Sequence, residues 1–137
     1  LDINSQKILS ATIKNVVGSN GVDVVYDAVG GTYAEPLLRA MAWNGRFLVV
    51  GFPAGISKIP LNLALLKSCQ IVGVFWGSFT QRYPEQHQTY ISELFKLYQR
   101  GYVKPRINKR FTFDQAPAAL TYISRRKALG KVVIVFD

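Results

Sequence analysis

Residues Gly21 to Gly31 read GVDVVYDAVGG, and this stretch decides the fold. Val22 to Tyr26 is a short run of β-branched and aromatic residues, the pattern of a strand buried on both faces of a parallel sheet. The run stops at Asp27, Gly30 and Gly31, where turn-forming residues lead the chain into its next element. Both flanks read as helix. Upstream, Ile8, Leu9, Ile13, Val16 and Val17 recur at helical spacing between Ser5 and Val17, and Gly18 and Gly21 close the segment. Downstream, helix signals resume at Thr32, accept Pro36 in the first turn and run through Leu37, Leu38, Ala40 and Met41 until Asn44-Gly45 stops them.

The alternation then repeats. Arg46 to Val50 is a second compact apolar strand that ends in Gly51, and a loop with Pro53, Gly55 and Pro60 leads to a short helix, Leu61 to Lys67. Ile71 to Trp76 reads as a third buried strand. Pro84 opens the longest amphipathic helix, with Ile91, Leu94, Phe95 and Tyr98 on one face and Gly101 as its stop. Strands alternating with helices through short connections predict an α/β fold, a doubly wound parallel sheet with right-handed crossovers. The last third differs. Ile107 to Phe113 alternates apolar and polar residues, Asp114 caps a helix through Ala118, Ala119, Leu120, Tyr122 and Ile123, and Gly130 precedes a strand from Lys131 to Phe136. This segment is expected to pack away from the parallel sheet.

Composition narrows the chemistry. The 137 residues contain one cysteine, Cys69, and one histidine, His87. That excludes from this chain an internal disulfide and a thiolate zinc cluster, and takes the usual His-containing metal sites, Ser-His-Asp triads and Cys-His pairs out of consideration. His87 itself reads as a solvated residue on a polar helix face, and no metal ligands are expected. No apolar stretch approaches the roughly 20 residues of a membrane span, and Leu1-Asp2-Ile3-Asn4 has no signal-peptide character, so a soluble, cytoplasmic protein is expected. The absence of an initiator methionine predicts a piece of a longer protein. The net charge of +9 gathers late, in Lys104, Arg106, Lys109, Arg110, Arg125, Arg126, Lys127 and Lys131.

In an open parallel sheet, ligands bind beyond the carboxyl ends of the strands. Those ends here are Asp27-Ala28-Val29-Gly30-Gly31, Gly51-Phe52-Pro53-Ala54-Gly55 and Phe75-Trp76-Gly77-Ser78. Glycines there let a flat ring or a ribose approach the backbone, whose N–H and C=O groups can read a carboxamide, and an aromatic neighbour can cover the ring. The simpler reading of each glycine is a turn residue. Asp27 fixes its turn or a ribose hydroxyl, and Tyr26 packs in the sheet. No G-x-G-x-x-G follows any strand and no lysine-bearing phosphate loop exists, so at most half of a dinucleotide site is present.

Four blocks carry a family resemblance: GVDVVYDAVGG, NGRFLVVGFPAG (Asn44 to Gly55), IVGVFWGSF (Ile71 to Phe79), and FDQAPAAL followed by GKVVIVF. In this order and spacing they resemble consecutive C-terminal blocks of the medium-chain dehydrogenase/reductase superfamily, nearest to its zinc-independent NADPH:quinone oxidoreductases. The resemblance implies that residues 1–101 are the C-terminal half of a Rossmann-type domain and that residues 102–137 return to a GroES-like catalytic domain. By position, Val29 and Gly30 would flank the nicotinamide ribose of NADPH. Phe52, between Gly51 and Pro53, would lie beside the nicotinamide through its backbone. Val74 and Trp76, around Phe75, would offer backbone groups to the carboxamide, and Lys131 would reach the pyrophosphate. The Ile71–Trp76 strand would pair with a two-fold mate in a homodimer. The glycine-rich turn, the residues that select NADPH over NADH and the substrate-facing domain stand upstream of Leu1 in that family.

Three functions follow as expectations. The first is hydride transfer from NADPH to a quinone or activated enone by the full-length protein, the present piece alone being inactive and no side chain in it an evident general acid. An enoyl-thioester or other alkene reductase of the same superfamily is the alternative within enzymes. The third, of another class, is an RNA-binding or non-catalytic dimerisation piece that would use the late basic cluster, with Tyr83, Tyr90, Tyr98, Tyr102 and Tyr122 for stacking.

Overall fold

The computed structural model describes residues 3–136, and the chain divides into two compact units between Arg82 and Tyr83. The first unit contains α1 (Ile3–Val17), β1 (Val22–Asp27), α2 (Ala34–Ala40), β2 (Met41–Val49), α3 (Asn62–Lys67), β3 (Gln70–Gly73) and α4 (Trp76–Arg82). Its strands form one parallel sheet in the order β1-β2-β3, with Tyr26 opposite Leu48 and Leu48 opposite Val72. The α/β class and parallel arrangement expected from the sequence are therefore present.

Consecutive parallel strands joined by right-handed crossovers put both connecting helices on the same side of the sheet. Val25 and Phe47 on that side pack with Ala34 and Leu38 of α2 and Leu63 of α3 to form the core. Val24 and Tyr26 point to the opposite side and are exposed, so β1 alternates where burial on both faces was expected, and Tyr26 does not pack in a core.

Two other boundaries differ from the sequence reading. The second helix ends at Ala40, four residues before Asn44, because Met41 is extended, fully buried and paired with Val22. The pairing then jumps to Val24 opposite Arg46, and Asn44, with φ of +59°, lies in the irregular stretch between. Gly21 permits this close join, since a Cβ there would run into the Ala40 carbonyl oxygen. The third strand is shorter than expected, Gln70–Gly73 in place of Ile71–Trp76, and it lies at the exposed sheet edge. Trp76 instead opens α4 and stacks on Phe79 at 5.3 Å, the aromatic pair favouring a helical turn over a continued strand.

The second unit contains α5 (Pro84–Gln99), β4 (Ile107–Thr112), α6 (Ala116–Ser124) and β5 (Lys131–Val135). β4 and β5 pair parallel in a second, two-stranded sheet. Thr112, rather than Asp114, caps the turn that leads into α6: its side chain and that of Gln115 form a reciprocal capping box. His87 is partly buried and not the solvated residue expected.

Candidate functional site

The ends of β1 and β2 are joined to each other by their own backbones. Asp27 is buried, and its carboxylate Oδ1 accepts hydrogen bonds from the Val29 N–H at 3.0 Å and the Gly30 N–H at 2.8 Å. An aspartate at a strand end thereby closes the turn with its own side chain. Its main-chain oxygen meanwhile accepts from Val50 and Gly51 at the end of β2. Beyond it, Ala54 donates to the Val29 oxygen at 2.9 Å, Gly31 donates to the Gly55 oxygen at 2.7 Å, and Gly55 donates back to Phe52.

Such close backbone contact needs glycine at two positions. Gly30 and Gly31 have φ of +70° and +62°, the left-handed side that residues with a Cβ avoid. A Cβ on Gly31 would lie 2.5 Å from the Ala54 oxygen, and one on Gly30 would lie 2.8 Å from the Gly55 oxygen and 3.0 Å from Cδ1 of Phe52. The pair of loops thus forms a preorganised shelf.

The structure brings Asp27, Val29, Gly30, Gly51, Phe52 and Pro53 together on this shelf, and Val74 is tied beside it by donating its N–H to Val49. Val29 and Phe52 are about half exposed and offer apolar surface over it. Among the described residues, the Phe52 N–H donates to no protein group and is a shelf donor left for a ligand. Val74 has spent its donor, so only its carbonyl is left to read a carboxamide. Phe75 is largely exposed, and Trp76 has moved onto α4. Lys131 belongs to the second unit, where its N–H donates to Arg106.

Sequence reading missed Ala54 and Gly55 as fasteners of the shelf. It also missed Thr32, Glu35 and Lys58, which with Gly31, Ala54 and Ile56 line a cavity of about 420 Å³ beside it. Only the glycine spacing hinted at the first pair, and nothing local marks the others, because the loops meet through tertiary pairing.

The family model described as zinc-binding dehydrogenase matches residues 3–134. The chain belongs to the zinc-binding dehydrogenase family. Quinone oxidoreductase-like protein 2 of Bos taurus is 35% identical over 131 residues, covering 95% of this chain and 38% of that protein. The chain thus spans little more than a third of that relative's length. Among solved structures, a mycobacterial protein complexed with NADPH superposes with a TM-score of 0.78 at 22% identity, over 95% of this chain and 40% of that one. The CurK enoyl reductase superposes with a TM-score of 0.74 at 23% identity, over 96% of this chain and 39% of its own. The resemblance to medium-chain dehydrogenases and reductases holds, and the parallel sheet is of the Rossmann-like type found in those enzymes. Among the described residues no group of three or more His, Cys, Asp or Glu side chains is placed to hold a metal ion.

Proposed function

We propose that this chain supplies the nicotinamide-side half of the cofactor site in an NADPH-dependent oxidoreductase that transfers a hydride to a quinone or activated enone. The observation that carries the reading is the shelf of two hydrogen-bonded loops at the carboxyl ends of β1 and β2, with an unspent donor at Phe52 and two apolar side chains. It lies where parallel α/β sheets bind ligands. The name of the quinone oxidoreductase-like relative supports the choice of acceptor.

In this reading Val29 and Gly30 flank the nicotinamide ribose, Phe52 presents its N–H to the carboxamide, and Val29 and Phe52 keep water from the ring. The nicotinamide supplies the hydride, so the chain's own contribution is to bind, orient and exclude solvent. Asp27 acts by holding the Val29 and Gly30 backbone. Pro53 shortens the conformational reach of the second loop. Phe75 and Trp76 border the site beyond the end of β3.

Residues 1–101 are assigned to the Rossmann domain and residues 102–137 to the segment that returns to a catalytic domain. The protein is assigned to the zinc-independent branch, to the cytoplasm and to a homodimer joined through the Ile71–Trp76 edge. By itself the chain is expected to be inactive.

The test is NADPH oxidation by the full-length protein with quinones, enones and enoyl thioesters as acceptors, beside an NADPH-dependent thermal shift. Turnover with quinones or enones supports the reading. Turnover confined to enoyl thioesters moves it to the alternative suggested by the enoyl reductase fold, and the absence of both turnover and NADPH binding refutes it.

A further inference from the structure

The second unit has a cavity of about 370 Å³ between β4 and the C-terminal end of α6, lined by Lys109, Phe111, Thr121, Tyr122, Arg125 and Lys127 among others. We infer that it binds a small organic phosphate, its phosphate held by Lys109, Arg125 and Lys127 and its organic part against the Tyr122 side of the cavity. The site uses none of the residues of the strand-end shelf and does not rest on the hydride-transfer reading.

Charge carries the first part of the argument. The cavity has three cations in its wall and no carboxylate. The ion pairs among the described residues are Arg39 with Glu35 and Lys96 with Glu93, neither of which involves these cations. Three like charges around one concavity repel one another, and a multiply charged anion relieves that repulsion. Cations also gather at helix ends to face the helix dipole, and Arg125 and Lys127 follow α6. That dipole amounts to about half an elementary charge, which leaves most of the positive charge uncompensated.

Position carries the second part. The Lys109 ammonium is 4.9 Å from the centre of the Phe111 ring and 5.2 Å from that of Tyr122, so two rings restrain it at the cavity. Phe111 is buried and meets Tyr122 edge to face at 6.0 Å, a rigid base beneath the ammonium. The pairing of Lys109 with Val132 fixes it along the strand. At the other wall, Arg125 and Lys127 donate their backbone N–H groups to Thr121 and Tyr122, which ends the helix with both side chains beside the cavity. A guanidinium fork and two ammonium groups match the oxygens of a phosphate monoester. The volume exceeds what a bare phosphate fills and falls within the range of small-molecule sites.

The experiment is calorimetric titration of the full-length protein with phenyl phosphate, at fixed ionic strength, without NADPH and in saturating NADPH. Saturable one-to-one binding is expected, weakened at least tenfold in the Arg125→Gln/Lys127→Gln double variant and unchanged in Lys104→Gln, which lies outside the cavity. Both cavity residues are exposed, and circular dichroism and thermal melting check that the double variant folds. Non-saturable binding, or binding that survives the double variant, overturns the proposal. An equal loss in Lys104→Gln overturns it in favour of a diffuse basic field, and displacement of phenyl phosphate by NADPH overturns it in favour of the cofactor site. A protein that ignored NADPH would refute the hydride-transfer reading and leave this test intact.

Discussion

Replacing Asp27 with alanine removes the acceptor that closes the first loop of the shelf. Two N–H groups lose their partner, that of Val29 at 3.0 Å and that of Gly30 at 2.8 Å. Hydrogen bonds to a charged group contribute about 1.5–3 kcal/mol each, so the upper limit is about 6 kcal/mol. Val29 is exposed and can exchange its bond for water, whereas Gly30 is buried and its N–H stays unsatisfied. A loss of about 2–4 kcal/mol in stability is therefore expected, read as a lower urea midpoint at unchanged slope in the full-length protein. The freed loop must also be reordered whenever nicotinamide binds. Fixing one backbone residue costs about 1–2 kcal/mol, so NADPH affinity should fall about tenfold or more. Asp27→Asn is the decisive companion, because its amide oxygen can still accept both bonds. It should keep NADPH affinity within about threefold of the parent, with fluorescence of bound NADPH as the assay. If asparagine proves as damaging as alanine, or alanine proves harmless, the carboxylate is not acting as the clamp of the turn.

Further outcomes follow from the same geometry. Gly31→Ala sets a Cβ against the Ala54 oxygen at a left-handed φ, so it should cost about 2 kcal/mol or more and weaken NADPH binding. Gly77→Ala, whose Cβ would meet only Phe75 at 3.5 Å, should be neutral or stabilise by up to about 1 kcal/mol, both read by denaturant melts. Lys67 donates to the Met41 oxygen, and partial burial, together with repulsion from Lys14, lowers its pKa from the usual lysine value against the opposing effect of Cys69. Because the folded state then releases the Lys67 proton more readily than the unfolded state, stability should rise with pH through the interval between the two values. Lys67→Met should flatten that rise in urea melts recorded across the alkaline range. Val72→Lys on the exposed β3 edge would set like charges near each other across a two-fold pairing. It should convert a dimer to monomer in sedimentation, and an unaltered dimer would place the interface elsewhere.

Much of the architecture was legible because it follows from local chemistry. The β-branched run at Val22–Tyr26, the helical spacing of Ile8 to Val17 and the stop at Gly101 each reflect preferences carried by neighbouring residues, and the elements appear there. The misreadings have non-local causes. Met41 continues a helical pattern, yet its pairing with Val22 makes it extended. Trp76 continues an apolar run, yet it stacks on Phe79 from the start of a helix. Asp114 is a good capping residue, but Thr112 and Gln115 form the reciprocal pair that caps the turn. Of the candidate site, the glycines and Asp27 were visible as strand-end residues. Their fastening to Ala54 and Gly55 was not, since it depends on two loops separated by a helix and a strand.

The sequence by itself determined a parallel α/β sheet, the glycine-bearing turns at its strand ends, and the lack of a phosphate-binding glycine turn in these residues. All of these are written in residue type and short-range spacing. The tertiary structure decided that Asp27 is occupied with two backbone N–H groups, that Phe52 keeps a donor to offer, and that Lys109, Arg125 and Lys127 surround one cavity. The physical reason is that a hydrogen bond or a field of charge belongs to groups that meet in space, and the order of residues along the chain does not say which of them meet.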